Sequence, residues 1–416
     1  MTYGTNPCNI KVEIGNNNFK GVVSKMGRLS LQQMILNEFE ADNGLATRMA
    51  KLVGYSSPGA LGKILKDEKK EFAKFYSLIK IVREIFPEDD KSLMAEHSKT
   101  LDPNKQSARY MLEYLELNKL QSHKADLIER MLQGSNAVSK EWATVYKIDH
   151  DYATGKVNLT DTIKRFLVQN TKTLECSIIN ELFLAYCYLE TSSHSLIQPM
   201  MATIEEKILQ VQDDYIREML YSRYALIFIS TKVREDKLKE ARAMCETVIN
   251  NIEDTYFTAW AYLHLGNSYI VSSKDKALFY LKSGYEITKD VRFKHVHTNI
   301  KRSINFTCNL YKETPELLDL KSADTSDQHE IAFYYIQHGQ KTNALKVLDS
   351  LNLEQMSDNQ KGFHFYYRGL LGNDKKVITE SIKYFKKSGD IYFRKLPLLE
   401  LSKSGVDDYI LEALAL

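Results

Sequence analysis

The chain has 416 residues, a net charge of +2 and 44% hydrophobic residues, a composition typical of a folded globular protein and unlike that of a disordered or fibrous one. Seven prolines and 18 glycines are few for this length, and the abundant Leu, Lys, Glu and Ala favour helices. We therefore predict an all-α protein. Its length exceeds what one small core serves, so we expect several domains or an array of repeats.

Several function classes are excluded by what the sequence lacks. No run approaches the roughly 20 apolar residues of a membrane span, and no apolar signal core is found near the N-terminus, so we expect a cytoplasmic protein without membrane contact. The five cysteines are scattered and form no CxxC pair, which indicates neither a disulfide framework nor a zinc site. The GxGxxG, GxxxxGK[ST], HExxH and GxSxG signatures are also missing. We predict no cofactor, no metal and no enzymatic activity.

The first part of the chain changes character at residue 29. Residues 1–28 are rich in Gly and Asn without periodicity, and we expect a weakly ordered extension. In 29–87, a helix that stops at Gly54 is followed by a tight turn, in which Ser57 is the expected N-cap, and by a short helix that begins at Pro58. This layout predicts a helix-turn-helix DNA-binding domain. A plain helical cap for the rest of the chain remains the alternative.

The charge of this segment supports the DNA-binding interpretation. Between Lys20 and Glu84, twelve Lys or Arg residues stand against seven Asp or Glu residues, and a basic segment is typical of a nucleic-acid contact. Ordinary solvated lysines are the alternative. The candidates beside the DNA groove are Ser56, Ser57, Lys63 and Lys66, and the candidate phosphate contacts are Arg48, Lys51, Lys69 and Lys70.

A helical repeat follows in residues 88–388. Its clearest copy is 259–284, in which Gly266 and Ala277 occupy the small-residue positions of a tetratricopeptide helix pair. Small residues equivalent to Ala277 recur at positions 241, 344 and 381. Such pairs stack into a superhelix, and their first helices line its concave surface. Residues 389–416 are predicted to cap the array or to pair with a second copy of the chain.

The predicted inner surface carries polar residues. Asn267 lies on the helix side away from Gly266 and has Ile270 beside it, and the equivalent position in the preceding repeat is Ser230, with Arg223 nearby. For each residue alone, packing or solvation is the alternative. Together they favour a channel that binds a peptide.

Five stretches resemble a known family: KQSARYMLEY (105–114), SKEWATVYKIDH (139–150), YLHLGNSYI (262–270), QHE (328–330) and SGDIYF (388–393). They resemble the arbitrium receptors, the AimR family of temperate Bacillus phages, within the peptide-regulated transcription factors. The resemblance implies a homodimer that binds a double-stranded DNA operator and activates transcription, which favours lysis. It also implies that a signalling peptide of about six residues binds the repeats, stops activation and favours lysogeny, a form of quorum sensing.

The resemblance also implies contact residues. Asn267, Phe306, Glu330, Asn359 and Asp390 match positions that hold the peptide in the family. Where other members have Asn and Arg, this chain has Ser230 and Tyr256, so we expect a different peptide or a shifted pose. The candidate peptide-binding residues are Arg223, Ser230, Tyr256, Asn267, Ile270, Phe306, Glu330, Asn359, Asp390 and Tyr392.

Two other functions remain open. A Rap-like sensor would bind a peptide through its repeats and act on a response regulator through an N-terminal helical bundle, without DNA. A passive tetratricopeptide scaffold would bind other proteins only. The tight turn at 55–59 and its basic neighbours favour the DNA-binding function.

Overall fold

The computed structural model describes residues 29–42, 44–67, 72, 74–191, 193–252, 255–289 and 293–415. The predicted extension at 1–28, and with it Cys8, lies outside these residues, as do Lys69 and Lys70. Within them, the regular structure consists of twenty-two α-helices and one short 3-10 helix, without a strand. The prediction of an all-α protein is confirmed.

The helices fall into two compact units, described here separately. The first comprises the described residues of 29–184 and 204–220, and the second those of 185–203 and 221–415. The predicted domain boundary after residue 87 lies inside the first unit and stays a prediction.

The first unit begins with four helices: α1 (Leu31–Ala41), α2 (Leu45–Leu52), α3 (Pro58–Leu65) and α4 (Phe75–Ile85). Gly54 adopts a φ of +77° after α2, a conformation that costs glycine little. The Ser57 hydroxyl then accepts a hydrogen bond from the Ala60 N–H at 3.2 Å and caps α3. Met49 of α2 and Leu61 of α3 are both buried. These local signals produce the predicted helix, turn and short helix.

The rest of the first unit is built from longer helices: α5 (Asp90–Ser98), α6 (Gln106–Leu117), α7 (Gln121–Gln133), α8 (Ala137–Ala153) and α9 (Leu159–Val168). Three further helices contribute residues to both units: α10 (Leu174–Glu190), α11 (His194–Ile208) and α12 (Asp214–Arg234). A fully buried Lys124 joins α6 to α8, because its ammonium lies 2.5 Å from Glu116 and 2.8 Å from Asp149.

The second unit continues with α13 (Leu238–Asn251), α14 (Thr255–Asn267), α15 (Lys274–Ile287), α16 (Lys294–Leu310), α17 (Thr325–Gln337) and α18 (Lys341–Asp349). It ends with the 3-10 helix Leu353–Gln355 and with α19 (Asp358–Gly372), α20 (Lys375–Lys387), α21 (Ile391–Lys403) and α22 (Asp408–Ala415).

Small residues let the helices of a pair approach closely, as the repeat pattern predicted. A Cβ at Gly266 would lie only 2.6 Å from the Leu281 side chain and 3.1 Å from the Ala277 carbonyl oxygen. In the last copy, the Ser381 hydroxyl donates a 2.7 Å hydrogen bond to the Gly362 carbonyl. The α14–α15 and α19–α20 pairs therefore pack like tetratricopeptide repeats.

The final helix covers one hydrophobic cluster. Leu411 and Leu414 of α22 pack, half-buried, against Ile378, Ile382 and Leu401. Tyr409 and Ile410 of the same helix are exposed, Tyr409 at 70%. The helix thus closes the cluster and keeps apolar surface accessible.

Candidate functional site

Buried polar side chains recur along six helices of the second unit: α12, α14, α16, α17, α19 and α21. We call twelve of them the polar row: Arg223, Ser230, Thr231, Arg234, His264, Asn267, Asn305, Asn309, Glu330, Asn359, Asp390 and Arg394. Burying a polar group is costly unless a hydrogen bond compensates. A repeated set of such groups therefore indicates an internal network or a place where a polar ligand binds.

Asn267 supplies the amide of α14. Its side chain is buried, and its Oδ1 has no hydrogen-bond partner within the described part of the protein. His264 lies one turn earlier on the same helix, where burial and then the nearby Arg234 lower its pKa to about 4. His264 is therefore neutral at physiological pH. The Asn267 amide has both a donor and an acceptor, so it can donate to and accept from a peptide group.

Glu330 supplies a carboxylate from α17. Its Oε2 accepts from the Asn309 Nδ2 at 3.5 Å, and its Oε1 has no hydrogen-bond partner among the described residues. Burial raises the pKa of Glu330 to about 7, whereas the hydrogen bond from Asn309 and the positive charge of Arg302 act in the opposite direction. With a pKa of about 7, a substantial fraction of this carboxyl is neutral near pH 7, and a donor or cation placed beside Oε1 would favour ionisation.

Asp390 joins α19 to α21. Its Oδ2 accepts from the Asn359 Nδ2 at 2.9 Å, and its Oδ1 accepts from the Phe393 N–H at 2.9 Å, which caps α21. Burial raises the pKa of the Asp390 carboxyl, and the nearby Arg234 opposes that rise. The structure therefore brings the predicted Asn359 and Asp390 into direct contact.

The residues of α12 begin the polar row. Arg223 and Ser230 are buried and lie seven positions apart, on one side of the helix. Thr231 is also buried, and its hydroxyl has no hydrogen-bond partner in the part of the chain that the structure describes. Ser230 and Asn267, which were predicted to occupy equivalent positions in neighbouring repeats, are thus both buried, on α12 and α14.

Four other candidates have packing partners. Phe306 is enclosed by the rings of Phe333, Phe363 and Phe393, with centroids at 5.7 Å in each case. The remaining three are tied to neighbours: Tyr256 packs against Trp260, the Ile270 carbonyl accepts from the Tyr311 hydroxyl, and the Tyr392 hydroxyl accepts from the Val271 N–H. Their peptide contacts stay predictions.

Sequence reasoning missed half of the polar row. Asn305 and Asn309 are spaced four apart on α16, and His264 lies three residues before Asn267, so helical spacing alone could have identified them. The missed members are Thr231, Arg234, His264, Asn305, Asn309 and Arg394. Arg234 is the last residue of α12, and Arg394 lies in the first turn of α21.

The helix-turn-helix candidates lie on the exposed side of the first unit. Lys51, Ser56, Lys63 and Lys66 are exposed, while Leu61 and Leu65 of the same short helix are buried. Arg48 is exposed and pairs with Asp42 at 2.7 Å. The Ser57 hydroxyl is committed to capping α3. The exposed side of α3 can therefore present two lysines to a polyanion.

Metal-binding and membrane-spanning features are not found in the described part of the chain. Its residues contain no cluster of three His, Cys, Asp or Glu side chains arranged to hold a metal ion. None of the described helices is both long and apolar enough to cross a membrane. The Nδ1 of His297 lies 3.0 Å from the Thr288 hydroxyl.

The all-helical chain, with tetratricopeptide-like helix pairs in its second unit, belongs to the class of helical-repeat proteins, and comparisons with known proteins identify its family. Residues 90–403 match the model of the AimR transcriptional regulator-like family. The chain belongs to this family.

The AimR transcriptional regulator of Bacillus phage phi3T is 31% identical over 384 residues, which cover 92% of this chain and all of the relative. A solved structure of selenomethionine phAimR matches with a TM-score of 0.74 and 30% identity, over 93% of this chain and 100% of that one. A structure of phAimR with a ligand matches with a TM-score of 0.74 and 29% identity, over 81% and 99%. The predicted family is confirmed.

Proposed function

We propose that this protein is a transcriptional regulator, not an enzyme, whose helix-turn-helix binds a DNA operator and whose polar row binds a short signalling peptide that stops activation. The peptide half is carried by one observation. On each of five helices, α12, α14, α16, α17 and α19, at least one buried polar atom has no hydrogen-bond partner among the described residues: Thr231 Oγ1, Trp260 Nε1, Asn267 Oδ1, Asn305 Oδ1, Asn309 Oδ1, Glu330 Oε1 and Asn359 Oδ1.

The chemistry of these atoms suits an extended peptide. Most of them are acceptors, and a peptide backbone offers an N–H donor at each residue that is not proline. Glu330 and Asp390 add two carboxylates at the end of the row, where a cationic group of the ligand would be favoured. The relative phAimR, which has a similar fold, has been solved with a ligand, and this supports a ligand-binding role for the same fold here.

The DNA-binding part of the proposal is supported by α2, the turn after it and α3 (residues 45–65), which we call the head. Its tight turn leads into a capped short helix with Lys63 and Lys66 exposed, a geometry typical of a helix that enters the major groove. A Rap-like sensor would use a bundle of long helices in place of this turn, so the head favours DNA binding.

The switch follows from differential affinity. A peptide that contacts α14, α17 and α21 together stabilises one arrangement of the repeats, and it can shift the protein only as far as its affinity differs between two arrangements. We propose that the active form is a peptide-free homodimer in the bacterial cytoplasm and that exposed Tyr409 and Ile410 of α22 contribute to its interface. Because a dimer presents two heads, its operator should contain two half-sites separated by whole turns of DNA.

A peptide-binding assay tests the first half. A labelled peptide from the short reading frame beside the gene is titrated with the protein and followed by fluorescence anisotropy. Asn267→Ala should weaken binding about tenfold, since a lost hydrogen bond costs about 1 kcal/mol and leaves its partner unsatisfied. Asn343→Ala is the matched control, because Asn343 is an exposed asparagine of α18. Equal affinities for the two variants would contradict the assignment.

A mobility-shift assay tests the DNA half. The duplex covers the DNA that flanks the gene, and the expected result is a shifted band that the peptide abolishes or alters. Lys63→Glu with Lys66→Glu should abolish the shift, whereas Lys282→Glu with Lys321→Glu, two exposed lysines of the second unit, should not. With excess unrelated competitor DNA present to remove sequence-independent binding, a shift that survives the head substitutions would refute the role of the head in operator binding, and a passive scaffold would give no shift at all.

A further inference from the structure

Helix α20 carries an unusually dense positive surface. Between Lys375 and Lys387 it contains five lysines and one glutamate, while the whole chain has a net charge of only +2. The lysines are Lys375, Lys376, Lys383, Lys386 and Lys387, and all five are exposed. At 3.6 residues per turn, they fall within an arc of about 120°. The opposite side, with Ile378, Ile382 and Phe385, is buried.

Almost all of this charge is uncompensated. Among the described residues, the ion pair on this face joins Lys383 to Glu380 at 3.0 Å. The carboxylate of Asp374, just before the helix, accepts the N–H groups of Lys376 and Val377 and acts as its N-cap. Like charges this close repel one another weakly in solvent, and a polyanion placed over them would replace that repulsion with attraction.

We propose that this lysine face of α20 is a second, sequence-independent binding surface for double-stranded DNA. From Lys375 to Lys387 the helix extends about 18 Å. A DNA duplex carries one negative charge per about 1.7 Å of its axis, so the lysines can contact several phosphates at once. Lysine provides a mobile point charge without the planar fork by which arginine recognises guanine. The face therefore contacts the backbone and adds affinity without specificity.

Other polyanionic partners fit less well. A helix that lies on an anionic membrane presents large apolar side chains beside its basic residues, but none of the exposed large hydrophobic residues among the described ones belongs to α20. A protein interface needs a buried apolar or aromatic centre. The aromatic candidate, Tyr384, is half-buried and stacked on Phe365 at 5.2 Å. DNA phosphates are the remaining partner.

Salt dependence of binding to unrelated DNA tests this proposal. The full-length protein is titrated into a fluorescein-labelled duplex of mixed sequence at several KCl concentrations. Lys375→Gln, Lys383→Gln and Lys386→Gln are combined, because glutamine has a similar helix propensity. Three lost phosphate contacts should make the slope of log K against log salt shallower by about 2.7. The control combines Lys282→Gln, Lys321→Gln and Lys346→Gln, three exposed lysines elsewhere in the second unit, and should keep the wild-type slope.

The outcomes separate the possibilities. The proposal is overturned if the α20 triple variant, at an unchanged midpoint of thermal unfolding, binds the duplex with the wild-type affinity and salt dependence. It is also overturned if the wild-type protein has no affinity for this duplex. Vesicles of phosphatidylcholine and phosphatidylserine form a second arm: loss of vesicle binding with unchanged DNA binding would assign the face to membranes instead. Binding to the duplex of mixed sequence can be measured without knowing the operator or the peptide. A protein with Lys63→Glu and Lys66→Glu should still respond to the α20 substitutions, so a failed head assignment is distinguishable.

Discussion

Replacing Glu330 by glutamine should change the pH dependence of folding in a defined way. The carboxyl is buried on α17, its pKa is raised by burial from 4.5 to about 7, and Oε1 has no hydrogen-bond partner among the described residues. Glu330→Gln preserves the shape and the polarity of the side chain and removes its charge.

The magnitude follows from proton linkage. Between pH 4.5 and 7 the folded protein keeps a proton that the unfolded chain has released, so this carboxyl makes the free energy of unfolding fall as the pH rises. The full difference between the two pKa values corresponds to about 3 kcal/mol. At pH 8 the wild-type protein bears this cost, and the variant does not. At pH 4.5 or below the two should differ little from this cause.

Urea unfolding of both proteins at pH 4.5 and at pH 8, without peptide, measures the effect. The stability of Glu330→Gln relative to the wild type should increase by about 3 kcal/mol from the lower pH to the higher. Glu316→Gln, which alters an exposed carboxylate of the same unit, should show no such change. A difference between variant and wild type that is equal at both pH values would refute the reasoning.

Three further predictions concern packing, a buried ion pair and a histidine. Gly266→Ala should lower the free energy of unfolding by about 1–3 kcal/mol, because its Cβ meets Leu281 at 2.6 Å; Gly372→Ala, with its nearest neighbour at 3.8 Å, is the control in chemical denaturation. Lys124→Met should cost about 3–5 kcal/mol, since it leaves Glu116 and Asp149 as two buried like charges, and thermal unfolding measures this. Burial and then Arg368 lower the pKa of His364 to about 4, so the folded protein loses stability as the pH falls from 6.5 to 4. His364→Gln should reduce this loss, which is measured from the midpoints of unfolding over that pH range.

Local signals in the sequence were enough to predict the helices and much of their pairing. Gly266 and Ala277 specify the close contact between α14 and α15, and Ser57 with Pro58 specifies the start of α3. Each of these signals depends only on residues that are near one another in the chain. The helix pairs of the second unit could therefore be predicted from the sequence alone.

Contacts between distant residues could not be predicted in the same way. The bond from Asn359 to Asp390 spans 31 positions and depends on how α19 packs against α21. Phe306 was selected by family resemblance as a peptide contact, but only the structure shows that three phenylalanine rings surround it. A single sequence with helical periodicity identifies a buried side of a helix, and it does not say which buried residue will lack a partner.

The two hydrogen bonds of Asp390 limit what a substitution of this residue can reveal. One of its oxygens holds Asn359 and the other starts α21, and Arg394 of the same helix donates to the Ala415 carbonyl in α22. A substitution at Asp390 will therefore alter the polar row and the seating of the last helix together, and its phenotype cannot be attributed to either. Asn359 does not cap α21, so an Asn359 variant alters the proposed ligand-binding row and leaves that helix cap in place.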